Sequence, residues 1–122
     1  MKRFIFLAAF VLLFSTSCFA SARSIALNRK GMSADHNEFY PPADMPEAYY
    51  DPDIQEIIII SDGFASYYDV NIVSQSTMQL VLYTTISGYG DSIDVSSLPD
   101  DDYTIIITSS YNNEYEGNFT NY

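Results

Sequence analysis

An all-β fold, built as a two-layer antiparallel sandwich, follows from three features of this sequence. Short runs rich in Ile, Val, Thr and Tyr recur from Ile54 onward at the eight- to twelve-residue spacing typical of such sandwiches. Turn-forming clusters separate them, at Asp62-Gly63, Gly88 to Asp91 and Leu98 to Asp102. No window repeats its apolar residues with a helical period.

The chain begins with a segment that reads as a secretory signal, residues 1–20. Lys2 and Arg3 precede an apolar run of eleven residues, Phe4 to Phe14, and Cys18-Phe19-Ala20 forms a small-residue cleavage context. A membrane span needs roughly 20 apolar residues, so no transmembrane segment is expected here or later. Cys18 offers a second outcome, a lipid anchor. A bacterial lipoprotein signal normally carries Leu or a similar residue three positions before the modified cysteine, and Ser15 stands there, which favours simple cleavage after Ala20. Cleavage leaves no cysteine, so no disulfide would brace the mature chain.

Residues 21–53 read as an extended acidic segment, a tether with one possible edge strand within Arg23 to Asn28, which includes Ile25-Ala26-Leu27. Four of the five prolines lie between Gly31 and Asp53, and Pro41-Pro42 and Pro46 oppose both helix and central strand. The sandwich itself is expected over residues 54–122. Ile57 to Ile60 suits a strand buried on both faces, or one whose outer face the tether covers. Asp62-Gly63 then turns the chain. Ala65 to Ser74 alternates, with Tyr68, Val70 and Ile72 on one face and Tyr67, Asp69 and Asn71 on the other. Met78 to Ser87 places Met78, Leu80 and Leu82 opposite Gln79, Val81 and Tyr83. Shorter strands follow at Ser92 to Val95, Tyr103 to Ser109 and Glu114 to Thr120.

The C-terminal half carries a family resemblance. Ser92-Ile93-Asp94-Val95-Ser96-Ser97-Leu98-Pro99, followed by Asp102-Tyr103-Thr104-Ile105-Ile106-Ile107, resembles the I-D-L-S-x-L-P-x-G-x-Y-x-I-x-I signature of small secreted immunoglobulin-like domains of unknown function from Bacteroidales. More distantly it is similar to the C-terminal sorting domains of type IX secretion cargo. Tyr115-Glu116-Gly117-Asn118-Phe119 resembles the closing Y-x-G-x-F strand. Asp101 replaces the usual glycine, a position where aspartate tolerates the left-handed backbone. The resemblance implies an Ig-like antiparallel β-sandwich of about six or seven strands. It also implies a secreted, periplasmic or envelope location in a Gram-negative bacterium, and it brings no catalytic residues.

Charge narrows the function further. No lysine or arginine follows Lys30, whereas all 16 acids do, and the formal net charge is −11. Nucleic acid is excluded as a partner, because nothing in the body can neutralise phosphate. The single histidine, His36, lies in the tether, and the single cysteine lies in the signal, so no nucleophile–histidine arrangement is expected. Paired carboxylates about 5–10 Å apart across a cleft would support glycoside hydrolysis, but so small a domain leaves little room for a cleft.

Two kinds of candidate site remain. Asp100, Asp101 and Asp102 lie at a turn, with Asp51, Asp53, Asp62, Asp91 and Asp94 near others. Clustered loop oxygens of this kind suit Ca²⁺, although no D-x-[DN]-x-[DN]-G loop occurs. Tyr67, Tyr83 and Tyr111 fall on the less apolar face or in a loop, where tyrosine rings can stack on sugars or meet a protein. Asn118-Phe119-Thr120 fits the N-glycan sequon, and Asp91-Ser92-Ile93 resembles a short O-glycosylation motif of Bacteroidales. The expectation is a non-enzymatic module binding a protein at the envelope. Alternatives are a carbohydrate-binding module with structural calcium, or a subunit that pairs through the edge of Ile57 to Ile60.

Overall fold

In the computed structural model, residues 22–29 and 42–122 are described; the signal region, Cys18 and His36 lie outside them. Among the described residues, nine strands form two antiparallel sheets. They are β1 (Arg23–Ile25), β2 (Asn28–Arg29), β3 (Glu47–Asp51), β4 (Glu56–Ile60), β5 (Tyr67–Ser74), β6 (Leu80–Ser87), β7 (Gly90–Asp94), β8 (Asp101–Ser109) and β9 (Glu114–Asn121). One sheet has the order β1-β3-β4-β7 and the other β2-β9-β8-β5-β6. No helix among the described residues is long and apolar enough to cross a membrane.

Period-two alternation builds the core as the sequence predicts. Tyr68, Val70 and Ile72 of β5 are fully buried, as are Ile105 and Ile107 of β8, and Ile57 and Ile59 close the opposite layer. Tyr103, at the start of β8, is also buried. Its hydroxyl reaches back 2.5 Å to the carbonyl of Pro99, the tyrosine-corner arrangement of immunoglobulin-like sandwiches.

Four details depart from the sequence-based expectation. First, residues 21–53 supply β1, β2 and β3, so the sandwich does not begin at residue 54. β3 is an inner strand that pairs with both β1 and β4. Its Ala48 and Tyr50 are buried, and the prolines that argued against structure fall before and after it. The chain also crosses from one sheet to the other between Ile25 and Asn28. That crossing lies so close to β9 that a Cβ on Gly117 would come within 2.9 Å of the Ala26 carbonyl, which explains the glycine of the closing strand.

Second, β4 is buried on one face only: Ile58 is half-buried and Ile60 exposed. Third, the Asp62-Gly63 turn does not close a hairpin, because β4 and β5 belong to different sheets. Fourth, a bulge breaks the alternation of β6. Ile72 pairs with Leu82 but Val73 pairs with Leu80, leaving Val81 as the extra residue. Leu80 is thereby rotated out of the core, although the sequence pattern put it on the same face as Leu82.

The two sheets are bolted together at one end by Asp44, which is only 3% exposed. Ser109 Oγ donates to its carboxylate at 2.5 Å and Asn113 Nδ2 at 2.8 Å, and the Tyr115 hydroxyl makes a short bond to the other oxygen. The Tyr68 hydroxyl donates to the Asp44 carbonyl at 2.8 Å. Since its single proton is committed there, Ser61 Oγ, 2.8 Å away, must donate to Tyr68. Arg29 enters this cluster indirectly, donating to Asn113 Oδ1 at 2.7 Å. Burial pushes the Asp44 carboxyl up, but the bonds from Ser109, Tyr115 and Asn113 outweigh it and hold the group below its ordinary range.

Asn121 serves the opposite end. Its Oδ1 accepts from the Tyr50 hydroxyl at 2.6 Å, and its Nδ2 donates to the carbonyls of Val95 and Leu98, each at 3.2 Å. Asp44→Ala leaves three buried donors without an acceptor and is expected to cost about 3 kcal/mol or more. Urea denaturation measures this, and a loss below about 1 kcal/mol would show that Asp44 does not join the sheets.

Candidate functional site

Three turns meet at the end of the sandwich that Asp44 closes. Gly63 N–H donates to the Gly88 carbonyl, Ser61 N–H to that of Tyr89, Gly88 N–H to that of Ser66, and Ser110 N–H to that of Tyr67, all at 3.1 Å. Ser66 N–H bonds Ser110 Oγ at 2.9 Å. The 61–66 loop is therefore held on one side by the Gly88-Tyr89 turn and on the other by Ser110-Tyr111. Asp62 caps the loop from within, its Oδ1 accepting from Phe64 N–H at 3.0 Å.

This frame displays four large aromatic side chains to solvent. Phe64 is 53% exposed, Tyr67 45%, Tyr89 73% and Tyr111 58%. The Phe64 and Tyr111 rings pack with centroids 5.3 Å apart and planes tilted by 35°. Tyr89 lies across Gly63, where a Cβ would stand 2.6 Å from its ring. Glycine at 63 thus meets two needs, a φ of +83° and room for the tyrosine. The result is a ridge of exposed aromatic side chains carried by a hydrogen-bonded frame, with Phe64 and Tyr111 in mutual contact.

Of the three tyrosines singled out in the sequence, Tyr67 and Tyr111 fall in this cluster. Tyr83 lies on the outer face of the five-stranded sheet, on the edge strand β6. Its hydroxyl sits 3.3 Å from Asp69 Oδ1, beside the 2.7 Å bond from Thr85 Oγ1 to the same oxygen. Phe64 and Tyr89 were missed. Their signal was present all the same: each adjoins a turn glycine, and a bulky ring on a tight turn has little core to enter.

Asp100, Asp101 and Asp102 do not converge. Asp101 and Asp102 are consecutive on β8, so their side chains leave opposite faces of the sheet. Asp101 Oδ2 accepts from Ser74 Oγ at 2.6 Å and Ser76 Oγ at 2.5 Å, while Asp102 Oδ1 accepts from Thr120 Oγ1 at 2.5 Å. The bonds from Ser74 and Ser76 hold the Asp101 carboxyl below its ordinary range. Among the described residues, no three His, Cys, Asp or Glu side chains gather into a group able to hold a metal ion. These acids act as acceptors that pin the 74–78 turn and β9. Millimolar Ca²⁺ is accordingly expected to leave the melting temperature unchanged. A site filled at 100 times its dissociation constant would add about 2.7 kcal/mol, a rise of well over 10 °C in so small a domain, and such a rise would contradict this reading.

No protein-family model matches the sequence, and no curated protein matches it. A solved structure does share the fold: a DUF3244 family protein from Bacteroides vulgatus with an immunoglobulin-like β-sandwich. The two superpose with a TM-score of 0.64 at 12% identity, over 83% of this chain and 99% of the other. This chain is an immunoglobulin-like β-sandwich.

Proposed function

We propose that this chain is a secreted, non-enzymatic immunoglobulin-like module that binds a protein at or outside the bacterial cell envelope. Its contact surface is the ridge of Phe64, Tyr67, Tyr89 and Tyr111. The observation that carries the reading is the exposure of these four rings, three on turns hydrogen-bonded to one another or to the start of β5 and one, Tyr67, at that start. Rigid, amphipathic rings suit the centre of an interface, because they bury much area and lose little freedom on binding. Both buried polar clusters, around Asp44 and around Asn121, are saturated by internal bonds, which suits a structural rather than a chemical role. With no Lys or Arg after residue 30, the complementary face of the partner must be neutral or basic.

The test pairs Phe64→Ala with Tyr111→Ala. Wild-type protein immobilised over envelope extract of the parent bacterium should retain a partner, whose affinity is then measured with both purified. The double variant should bind at least tenfold more weakly while melting within a few degrees of wild type, since both rings are half in solvent. Equal affinity in the two proteins would refute the ridge as the contact surface. A glycan array run alongside tests the carbohydrate-binding alternative, which aromatic-dependent glycan retention would put in its place.

A further inference from the structure

Among the described residues, four strands form the outer edges of the two sheets: β1, β7, β2 and β6. β1 and β2 are three and two residues long, and the five-residue β7 carries Asp91 and Asp94. Short or charged edges resist pairing with another chain. β6 differs from all three. It runs for eight residues, Leu-Val-Leu-Tyr-Thr-Thr-Ile-Ser, with no charge and no proline. Leu80 is 57% exposed and Tyr83 59%. The sequence had located the pairing edge at Ile57 to Ile60, but β4 lies inside its sheet between β3 and β7.

We propose that β6 pairs with β6 of a second copy of this chain, antiparallel about a two-fold axis through Thr84, joining two five-stranded sheets into one of ten. In a two-fold antiparallel pair the axial residue faces itself, and residues equally far on either side face each other. The bulge at Val81 confines regular pairing to Leu82 onward. An axis at Thr84 sets Leu82 against Ile86 on the inner face and Tyr83 against Thr85 on the outer, the apolar and aromatic–β-branched pairs that stabilise sheets. An axis at Thr85 would instead set Thr84 against Ile86 and Leu82 against Gly88 of the turn.

Electrostatics favour the same occupant. The nearest acid on this part of the sheet is Asp69 of β5, across from Thr85. The two copies of Asp69 would stand at least three strand spacings apart, about 14 Å, beyond the Debye length of about 8 Å at physiological salt. An uncharged edge on a body of net charge −11 gives an association that strengthens as salt rises. A basic foreign strand would bind more weakly under the same change.

The experiment uses the full chain with Cys18→Ser, in which Thr84→Cys and Ser87→Cys are introduced separately. In the proposed register, position 84 faces itself within disulfide reach, whereas the two copies of position 87 lie six residues apart, about 20 Å. Mild oxidation should convert most of the Thr84→Cys protein to covalent dimer and leave Ser87→Cys monomeric. Sedimentation of the unmodified protein should show a monomer–dimer equilibrium that shifts towards dimer between 50 and about 500 mM salt. Thr84→Lys should abolish the dimer with the β-type circular dichroism retained. A strict monomer at every concentration and salt, or cross-linking of Ser87→Cys as efficient as that of Thr84→Cys, overturns the proposal. So does a dimer that survives Thr84→Lys.

Discussion

A buried carboxylate held by neutral hydrogen-bond donors organises this molecule. Asp44 precedes β3 of one sheet and accepts from Ser109, Asn113 and Tyr115 of the other, while its carbonyl accepts from Tyr68. Taking a carboxylate out of water costs several kcal/mol, and most proteins offset that with a lysine or arginine. Here nothing basic follows Lys30, and Arg29 reaches the cluster by donating to Asn113. Neutral donors carry the charge instead. Because charge-assisted hydrogen bonds to neutral donors are directional, all three must be placed correctly, which fixes how β3, β8 and β9 meet.

The same constraint explains the use of tyrosine. A domain of this size has a small core and no disulfide to help it. Tyr50, Tyr68, Tyr103 and Tyr115 each combine a large buried ring with a hydroxyl that reaches a fixed acceptor. They do at the two ends of the sandwich what ion pairs do elsewhere. Tyr115 shows how committed these groups are: burial first, then its bond to Asp44, holds the hydroxyl well above the ordinary range for tyrosine. Of the exposed aromatics, Phe64, Tyr89 and Tyr111 are displayed on hydrogen-bonded turns and Tyr67 at the start of β5, while Tyr83 lies on the outer face of β6.

The alternation of Tyr68, Val70 and Ile72 and of Tyr103, Ile105 and Ile107 was legible in the sequence, because one-sided burial imposes a period of two. So was Gly117, as part of a recognisable closing strand. β3 was not legible. Glu47 to Asp51 is short, acidic at both ends and bounded by prolines, and only its pairing with β1 and β4 makes it a strand. Nor could alternation locate the bulge at Val81, since one inserted residue turns Leu80 to the face opposite Leu82 without altering composition. The placement of the acid triplet was illegible for a related reason. Adjacency in sequence becomes opposition on a strand, so Asp101 and Asp102 cannot share an ion. Of the aromatic ridge, Tyr67 and Tyr111 were accessible from pattern, but their meeting with Phe64 and Tyr89 depends on three turns far apart in the chain.

The most direct test of this account is the titration of the Asp44 side-chain carboxyl carbon by NMR. Hydrogen bonding to the charged form predicts a value below the ordinary ~3.9 of aspartate. A depressed folded value means that the stabilisation is complete above the unfolded pKa and is lost as pH falls through the folded one. Asp44 should therefore remain ionised to lower pH than an ordinary aspartate, and the protein should lose stability as Asp44 protonates. A midpoint above about 4, or protonation without loss of stability, would mean that burial outweighs the three donors and that the charge on Asp44 does not hold the sheets together.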